Sequence, residues 1–264
     1  ADKKMILDDL LKLLERELKL KTPESWDNSG LQIGDIDSDI KKILIILDLD
    51  KEAVKFSAEN NIDLIITHHP FIFSPIKTID YSTYDGQLIK DLIINGINVY
   101  SMHTSLDMAD SGVTRELAEK LDFKDYDILQ IINVIDGSGY GGISSVEPIN
   151  IKTYAGKVKK ALNCTSIKLF CNDYNRIIQK VAFCGGSGSD FIEAAVEKGA
   201  DLYITGDIKY HDAQEALKSN LALIDAGHFY TEYHSLNKIL KILKEHALDT
   251  VLIDRNTVPE LIIN

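Results

Sequence analysis

The stretch "DLIITHHPFIF" places His68 and His69 side by side at the end of an apolar run that reads as a buried strand, in a chain holding only seven histidines. Neighbouring residues leaving a strand point to opposite sides, so the pair cannot easily bind one ion together, but each could address a different ion. Pro70 stiffens the exit by restricting its own φ and biasing His69 toward extended conformations. Two further pairs share a spacing of four: His103 with Asp107 in "HTSLD", and His228 with Glu232 in "GHFYTE". On a helical turn both members of such a pair project from one face, the usual way to present two metal ligands.

Taken alone, the adjacent histidines are as readily explained by capping of backbone carbonyls. Each spaced pair alone is better explained as a surface ion pair. Together, four histidines and two carboxylates at three predicted strand ends form a cluster. Its mixture of imidazole and carboxylate suits Zn, Fe, Mn, Co or Ni, and the lack of a nearby cysteine argues against a structural thiolate zinc site. A two-metal site follows naturally, since ions about 3.5–4 Å apart activate a shared water and stabilise developing charge in hydrolysis.

The elements that must position these residues alternate along the chain. Leu7, Leu10, Leu11, Leu14 and Leu18 recur at helical spacing, and Pro23 ends that helix before a turn-like "PESWDNSGLQIG". A strand "KILIILD" follows, then a helix near 51–60, a strand at 63–67, a helix from about 85 to 95, a strand at 97–101 and a helix after Gly112. Such alternation indicates βαβ units and a mainly parallel or mixed sheet. The segments "KKILIILDLDKEAVKFSAENNIDLIITHH" and "QKVAFCGGSGSDFIEAAVEKGADLYITGD" align without a gap at a shift of 138, which sets Asp63 on Asp201 and Thr67 on Thr205. "VYSMHTSLD" and "LIDAGHFYTE" match at a shift of 125, pairing His103 with His228 and Asp107 with Glu232. Any two βαβ units look somewhat alike, but the shared "D-L-x-I-T" followed by a shared His-to-carboxylate spacing favours duplication. The expected division is a first α/β lobe over 1–124 with 226–264 packing back on it, and a second over 125–225 that includes an inserted segment at 125–177.

Composition narrows the function classes. A formal charge of −12 argues against a non-specific nucleic-acid surface, which needs clustered Lys and Arg. No apolar run approaches the roughly 20 residues of a membrane helix, and the N-terminal stretch lacks the apolar core and cleavage site of a signal peptide. Cys164, Cys171 and Cys184 cannot all pair within the chain and include no C-x-x-C. These features lead us to expect a cytoplasmic protein with no membrane association.

"GSGYGG" satisfies G-x-G-x-x-G but is not followed by an amphipathic helix, so it reads as a loop and not as a dinucleotide site. "CGGSGSD" lies between a strand and a helix, where its backbone N–H groups suit either a bound anion or, by preference, a tight βα turn. "TGDIKYHDA" supplies Asp207, Lys209, Tyr210 and His211 after the strand equivalent to that of "THH". These residues suit substrate binding; equally, Asp207 reads as a helix cap and His211 as a surface histidine.

In this order, "WDNSGLQIG", "THHPFIF", "HTSLD", "GGSGSDFIEAAVEKGADLYITGD" and "GHFYTE" resemble the Nif-three-like family, many members of which are named GTP cyclohydrolase 1 type 2 homologues. The resemblance spans essentially the whole chain and matches the short form without an inserted domain. It implies two interlocked, duplicated α/β lobes, a dinuclear metal site at their junction and a ring-shaped homohexamer. Carried over by motif, the ligands are His68, His69, Asp107, His228 and Glu232, with His103 at the edge of the site. Asp107 and Glu232 are the carboxylates suited to contact both ions. Ser105 stands where the family most often has asparagine. The implied activity is metal-dependent hydrolysis of GTP or a related nucleotide-like substrate, with His103 or His211 as proton carrier. The alternative is a non-catalytic metal carrier or metal-responsive scaffold.

Overall fold

The computed structural model describes residues 4–260, and the two ends of the first expected lobe, 1–3 and 261–264, lie outside that range. The chain divides into two compact units: one runs to Leu106 and resumes over Leu236–Glu260, and the other is Asp107–Ser235.

The first unit opens with β1 (Met5–Ile6) and α1 (Leu7–Leu18), whose Leu7, Leu10, Leu14 and Leu18 are fully buried on one face. Asp8 and Asp9 in its first turn suit the helix dipole, and Lys19 ends it in the left-handed conformation at φ 53°. Then come β2 (Gly30–Ile33), β3 (Asp39–Ile40), β4 (Lys42–Ile46), α2 (Lys51–Glu59), β5 (Leu64–Thr67), α3 (Tyr84–Ile94), β6 (Asn98–Ser101) and the short α4 (Thr104–Asp107), whose last residue begins the second unit. Asp50 and Thr83 cap α2 and α3 through their side chains.

The second unit contains α5 (Val113–Lys120), β7 (Asp127–Asn133), β8 (Ser138–Asn150), α6 (Ile151–Ala161), β9 (Lys168–Phe170), β10 (Ile177–Ser187), α7 (Ile192–Glu197), β11 (Leu202–Gly206), α8 (Tyr210–Lys218), β12 (Ala222–Asp225) and α9 (His228–Glu232). Helix α10 (His234–Glu245) leads back to the first unit, and β13 (Asp249–Ile253) lies parallel to β4.

The first sheet has the order β13-β4-β5-β6-β2, with β2 antiparallel at its edge. The second has the order β7-β8-β10-β11-β12-β9, parallel only across β10, β11 and β12. Central strands such as β4 and β5 are continuous runs of Ile and Leu because both of their faces are covered.

The duplication is visible in the registers. Ile43 faces Leu64 and Leu44 faces Ile65, while Val181 faces Leu202 and Ala182 faces Tyr203, the same pairings at the 138-residue shift. The equivalent aspartates do the same work. Asp63 Oδ2 accepts from Lys41 N and Lys42 N at 2.8 Å each, and Asp201 Oδ2 accepts from Gln179 N at 2.8 Å and Lys180 N at 3.0 Å. In the next strand Leu64 pairs with Asn98 and Leu202 with Ala222, a shift of 124 for β6 and β12, whereas the histidines match at 125. The extra residue is Gly227, at φ 86°, because Met102 N and Ala226 N still donate to the equivalent Thr67 and Thr205 carbonyls.

Four expectations change. The second unit begins at Asp107 and not at 125, because α5 packs on β10 and β8; it continues past 225 because α9 packs on β10 and β11. The inserted segment 125–177 belongs to the second unit as expected, but it does more than pack on it: β8 pairs with β10 and β9 with β12, so it completes the second sheet. "GLQI" is a strand, β2, paired with β6. "GSGYGG" is not a loop: Gly137 ends the β7–β8 turn and the next five residues open β8, with Gly139 lying where a side chain would strike the Gln130 carbonyl of β7.

Candidate metal centre

In the first unit, ring nitrogens of His68, His69 and His103 all lie within 4.8 Å of one another. His68 and His69 follow β5 directly, and His103 immediately precedes α4. His68 is fully buried, and His69 and His103 are partly so. Each ring is aimed by its Nδ1: His68 to the Met102 carbonyl at 2.7 Å, His69 to Asp48 Oδ1 at 2.7 Å and His103 to Asp27 Oδ1 at 2.8 Å. A carbonyl or carboxylate oxygen only accepts, so Nδ1 carries the proton and the neutral ring keeps its lone pair on Nε2. Metal-binding histidines are held this way, because the outer hydrogen bond fixes both tautomer and orientation.

Asp27 has no exposed side-chain surface. Burial pushes its carboxyl up, but hydrogen bonds from Ser29, Thr104 and His103 outweigh it and bring the pKa down to about 2. Burial lowers the His103 pKa and the neighbouring His68 lowers it further, against the opposing pull of Asp27, so the ring is kept neutral.

The second unit builds a second donor set. His228 opens α9 and Glu232 closes it, so the spacing of four turns both side chains to one side. His228 Nδ1 is held by Asp207 Oδ2 at 2.6 Å, and its Nε2 lies 3.1 Å from Glu232 Oε2. With Nδ1 protonated, Nε2 and the carboxylate oxygen repel unless a proton or a metal cation lies between them. Glu232 is 4% exposed, a depth at which a carboxylate needs a cation or strong donors. Asp107 belongs to the same neighbourhood, with a carboxylate oxygen within 4.8 Å of one of Glu232.

Gly186 makes room for this set. It sits at φ 65°, and a Cβ there would overlap Glu232 Oε1 and stand 3.2 Å from His228 Nε2. Its place in the duplication, by the shift of 138, is that of Asp48, the residue that aims His69. One half spends the position on an orienting carboxylate and the other clears it. The donors, all imidazole and carboxylate, fit a divalent transition metal.

Asp207, at φ 56°, is neither a helix cap nor free for substrate, since its carboxylate orients His228. His211 stands exposed on the first turn of α8 with its ring against Tyr210, and belongs to neither donor set. Lys209 and Tyr210 are exposed beside it. "CGGSGSD" is mostly the irregular end of β10, which runs to Ser187, and only its last residues turn toward α7; Gly186 N donates to Thr231 Oγ1 and Gly188 N to Thr205 Oγ1, both at 2.9 Å, so those donors are committed within the protein. The sequence reading missed Asp27 and Asp48, whose only signal is a position beside an apolar strand or a turn. It also set His103 at the edge, although its ring nitrogen lies with those of His68 and His69.

Relatives share this chain over nearly its full length. A Clostridium perfringens protein named GTP cyclohydrolase 1 type 2 homolog is 35% identical over 242 residues, covering 91% of this chain and 92% of its own. A Helicobacter pylori protein named GTP cyclohydrolase 1 type 2 is 34% identical over 227 residues, covering 86% and 87%. The solved structure of Staphylococcus aureus hypothetical protein SA1388 superposes with a TM-score of 0.87 at 30% identity, covering 98% of this chain and 99% of that one. The sequence profile of Duf34/NIF3 (NGG1p interacting factor 3) matches residues 5–259, and the chain belongs to that family.

Proposed function

We propose that His68, His69, Asp107, His228 and Glu232 together hold two divalent metal ions, and that the chain uses them to hydrolyse GTP or a related nucleotide-like substrate. The observation that carries this reading is the shared state of the three histidines among these ligands: each Nδ1 of His68, His69 and His228 is committed to an oxygen, which leaves Nε2 as the donor atom toward an ion. Bound ions would supply Lewis-acid polarisation and a water acidic enough to act near neutral pH. The protein's own part is positional. Asp48, Asp27, Asp207 and the Met102 carbonyl fix the rings, while Asp107 and Glu232 offer oxygen pairs able to contact both ions. His103, kept neutral by burial and by His68, accepts a proton at Nε2; His211 is the other candidate carrier, placed on α8.

One observation favours the second reading, a metal carrier or metal-responsive scaffold. The His69 and His228 side chains keep 24% and 35% of their surface exposed, which eases ion exchange. Metal-loaded protein incubated with GTP separates the two. Loss of GTP that stops in His69→Ala and Glu232→Ala supports the hydrolase; ion transfer to an acceptor without turnover supports the carrier.

The expected homohexamer belongs to the same proposal, and the exposed tip residues Val134 and Ile135 between β7 and β8 suit self-association. Cytoplasmic residence fits three free thiols, and no helix among the described residues is long and apolar enough to cross a membrane.

A further inference from the structure

Two large aromatic rings stand exposed beside the histidines of the first unit. Trp26 is 58% exposed and Phe73 51%. Their ring centroids are 6.3 Å apart at 56°, and each meets the His103 ring edge to face at 81°, at 6.2 and 6.3 Å. The three rings form a corner that opens beside His68 and His69, whose centroids lie 5.4 and 5.7 Å from that of His103.

The corner is built and braced. Ile72 N donates to Gln32 Oε1 at 3.1 Å, and the Ile72 carbonyl accepts from Asn28 Nδ2, which fastens the Phe73 segment to the Trp26 segment. Asp27, next to Trp26, is locked by Ser29, Thr104 and His103. Gln32 belongs to β2, and the Asp27 bonds also hold the His103 ring and Thr104 of α4, so the corner is tied to the elements that carry the histidines. The same bonds hold two aromatic faces toward solvent next to the proposed ligands, where an apolar surface would otherwise be disfavoured.

We propose that Trp26 and Phe73 form a stacking platform for a flat heteroaromatic ring of the substrate, such as a nucleobase. A tilted pair of rings accepts a planar ligand by offset stacking on one face and edge contact with the other, the two arrangements aromatic pairs prefer. Sequence-tolerant stacking on aromatic side chains is also how proteins grip bases where hydrogen-bond donors are few. The inference deepens the hydrolase reading, on which it rests for the placement of the reacting end, and it names the part of the substrate gripped.

Trp26 is the single tryptophan of the chain, so its emission reports on the corner alone. The manganese-loaded protein is titrated with GTP and, as a ring-free control, with inorganic triphosphate. Metal content is measured on the same sample. GTP is expected to quench Trp26 saturably and triphosphate not to; Phe73→Ala is expected to weaken GTP binding about tenfold and Phe73→Tyr less than twofold, with unchanged circular dichroism. Equal binding of GTP and triphosphate, or an unaltered GTP affinity in folded Phe73→Ala, overturns the platform even when two ions are present. Ring-dependent quenching in protein that binds no metal supports the platform and removes the metal reading instead. Emission that shifts on protein dilution but with no ring-bearing probe assigns the corner to a contact between copies and overturns the proposal.

Discussion

Replacing Gly186 by alanine tests whether the space beside Glu232 exists for metal binding, and a matched control separates that role from backbone strain. Gly186 and Gly199 sit at nearly the same φ, 65° and 70°, so an alanine at either pays a similar left-handed cost of about 1–2 kcal/mol. At Gly199 nothing lies within 4 Å of the added Cβ, and no further cost arises. At Gly186 the Cβ overlaps Glu232 Oε1 and stands 3.2 Å from Glu232 Cδ and His228 Nε2. Restoring ordinary contact requires the carboxylate to move by about 1 Å, and Glu232, being buried, has few other places to go. A displacement of that size misplaces a ligand well beyond the roughly 0.5 Å tolerance of a metal site. Both variants should lose about the same thermal stability from strain, with Gly186→Ala lower by an additional amount from the overlap. Calorimetric titration with Mn(II) or Zn(II) should show Gly199→Ala binding like the wild type and Gly186→Ala at least about tenfold weaker. Equal metal affinity in the two variants would refute the role assigned to Gly186 and, with it, the placement of Glu232 as a ligand.

Other outcomes follow from the same geometry. Asp48→Asn and Asp207→Asn remove the charge that fixes the His69 and His228 tautomers, and each should lower metal affinity by about 10- to 100-fold without unfolding the protein, as read by equilibrium dialysis. Asp27 has a folded pKa of about 2 against an ordinary 3.8, so its stabilisation is fully present above pH 3.8 and is lost as pH falls toward 2. Urea melts of metal-free protein should therefore show the wild type losing about 2 kcal/mol relative to Asp27→Asn over that window, and parallel pH profiles would contradict it. The duplicated strand-opening aspartates share one role: Asp63→Ala and Asp201→Ala each strip two backbone donors and should each cost about 1–3 kcal/mol, Asp201→Ala the more because it also loses the Arg176 ion pair, and a negligible cost in either, by urea melts, would speak against the role.

What the sequence revealed, and what it hid, divides along physical lines. His68, His69, His228 and Glu232 were legible because histidine is scarce in this chain and stands where strands end, and because a spacing of four converts directly into a shared helical face. The 138-residue repeat was legible because buried parallel strands keep their apolar register, and the structure returns the same residue pairings. Asp27 and Asp48 were hidden because they reach their histidines across 76 and 21 residues of chain, and an aspartate after a strand or in a turn has many ordinary uses. Asp207 was noticed for the wrong reason: its left-handed backbone at φ 56° turns it away from capping α8 and toward His228. The β2 strand was missed because "GLQI" is short and flanked by turn residues, so only its pairing with β6 makes it a strand. The boundary at Asp107 was missed because no Pro- or Gly-rich linker marks it; it falls inside the four-residue α4.

The central claim is that imidazole and carboxylate groups of this chain bind a pair of divalent ions. Elemental analysis of protein purified without chelator, compared with His69→Ala and Glu232→Ala prepared identically, tests it most directly. The account predicts two equivalents of transition metal per chain in the wild type and a marked loss in both variants. Wild-type protein that holds no metal and takes up none from Mn, Fe, Co, Ni or Zn solutions, or metal content indifferent to both substitutions, would contradict it.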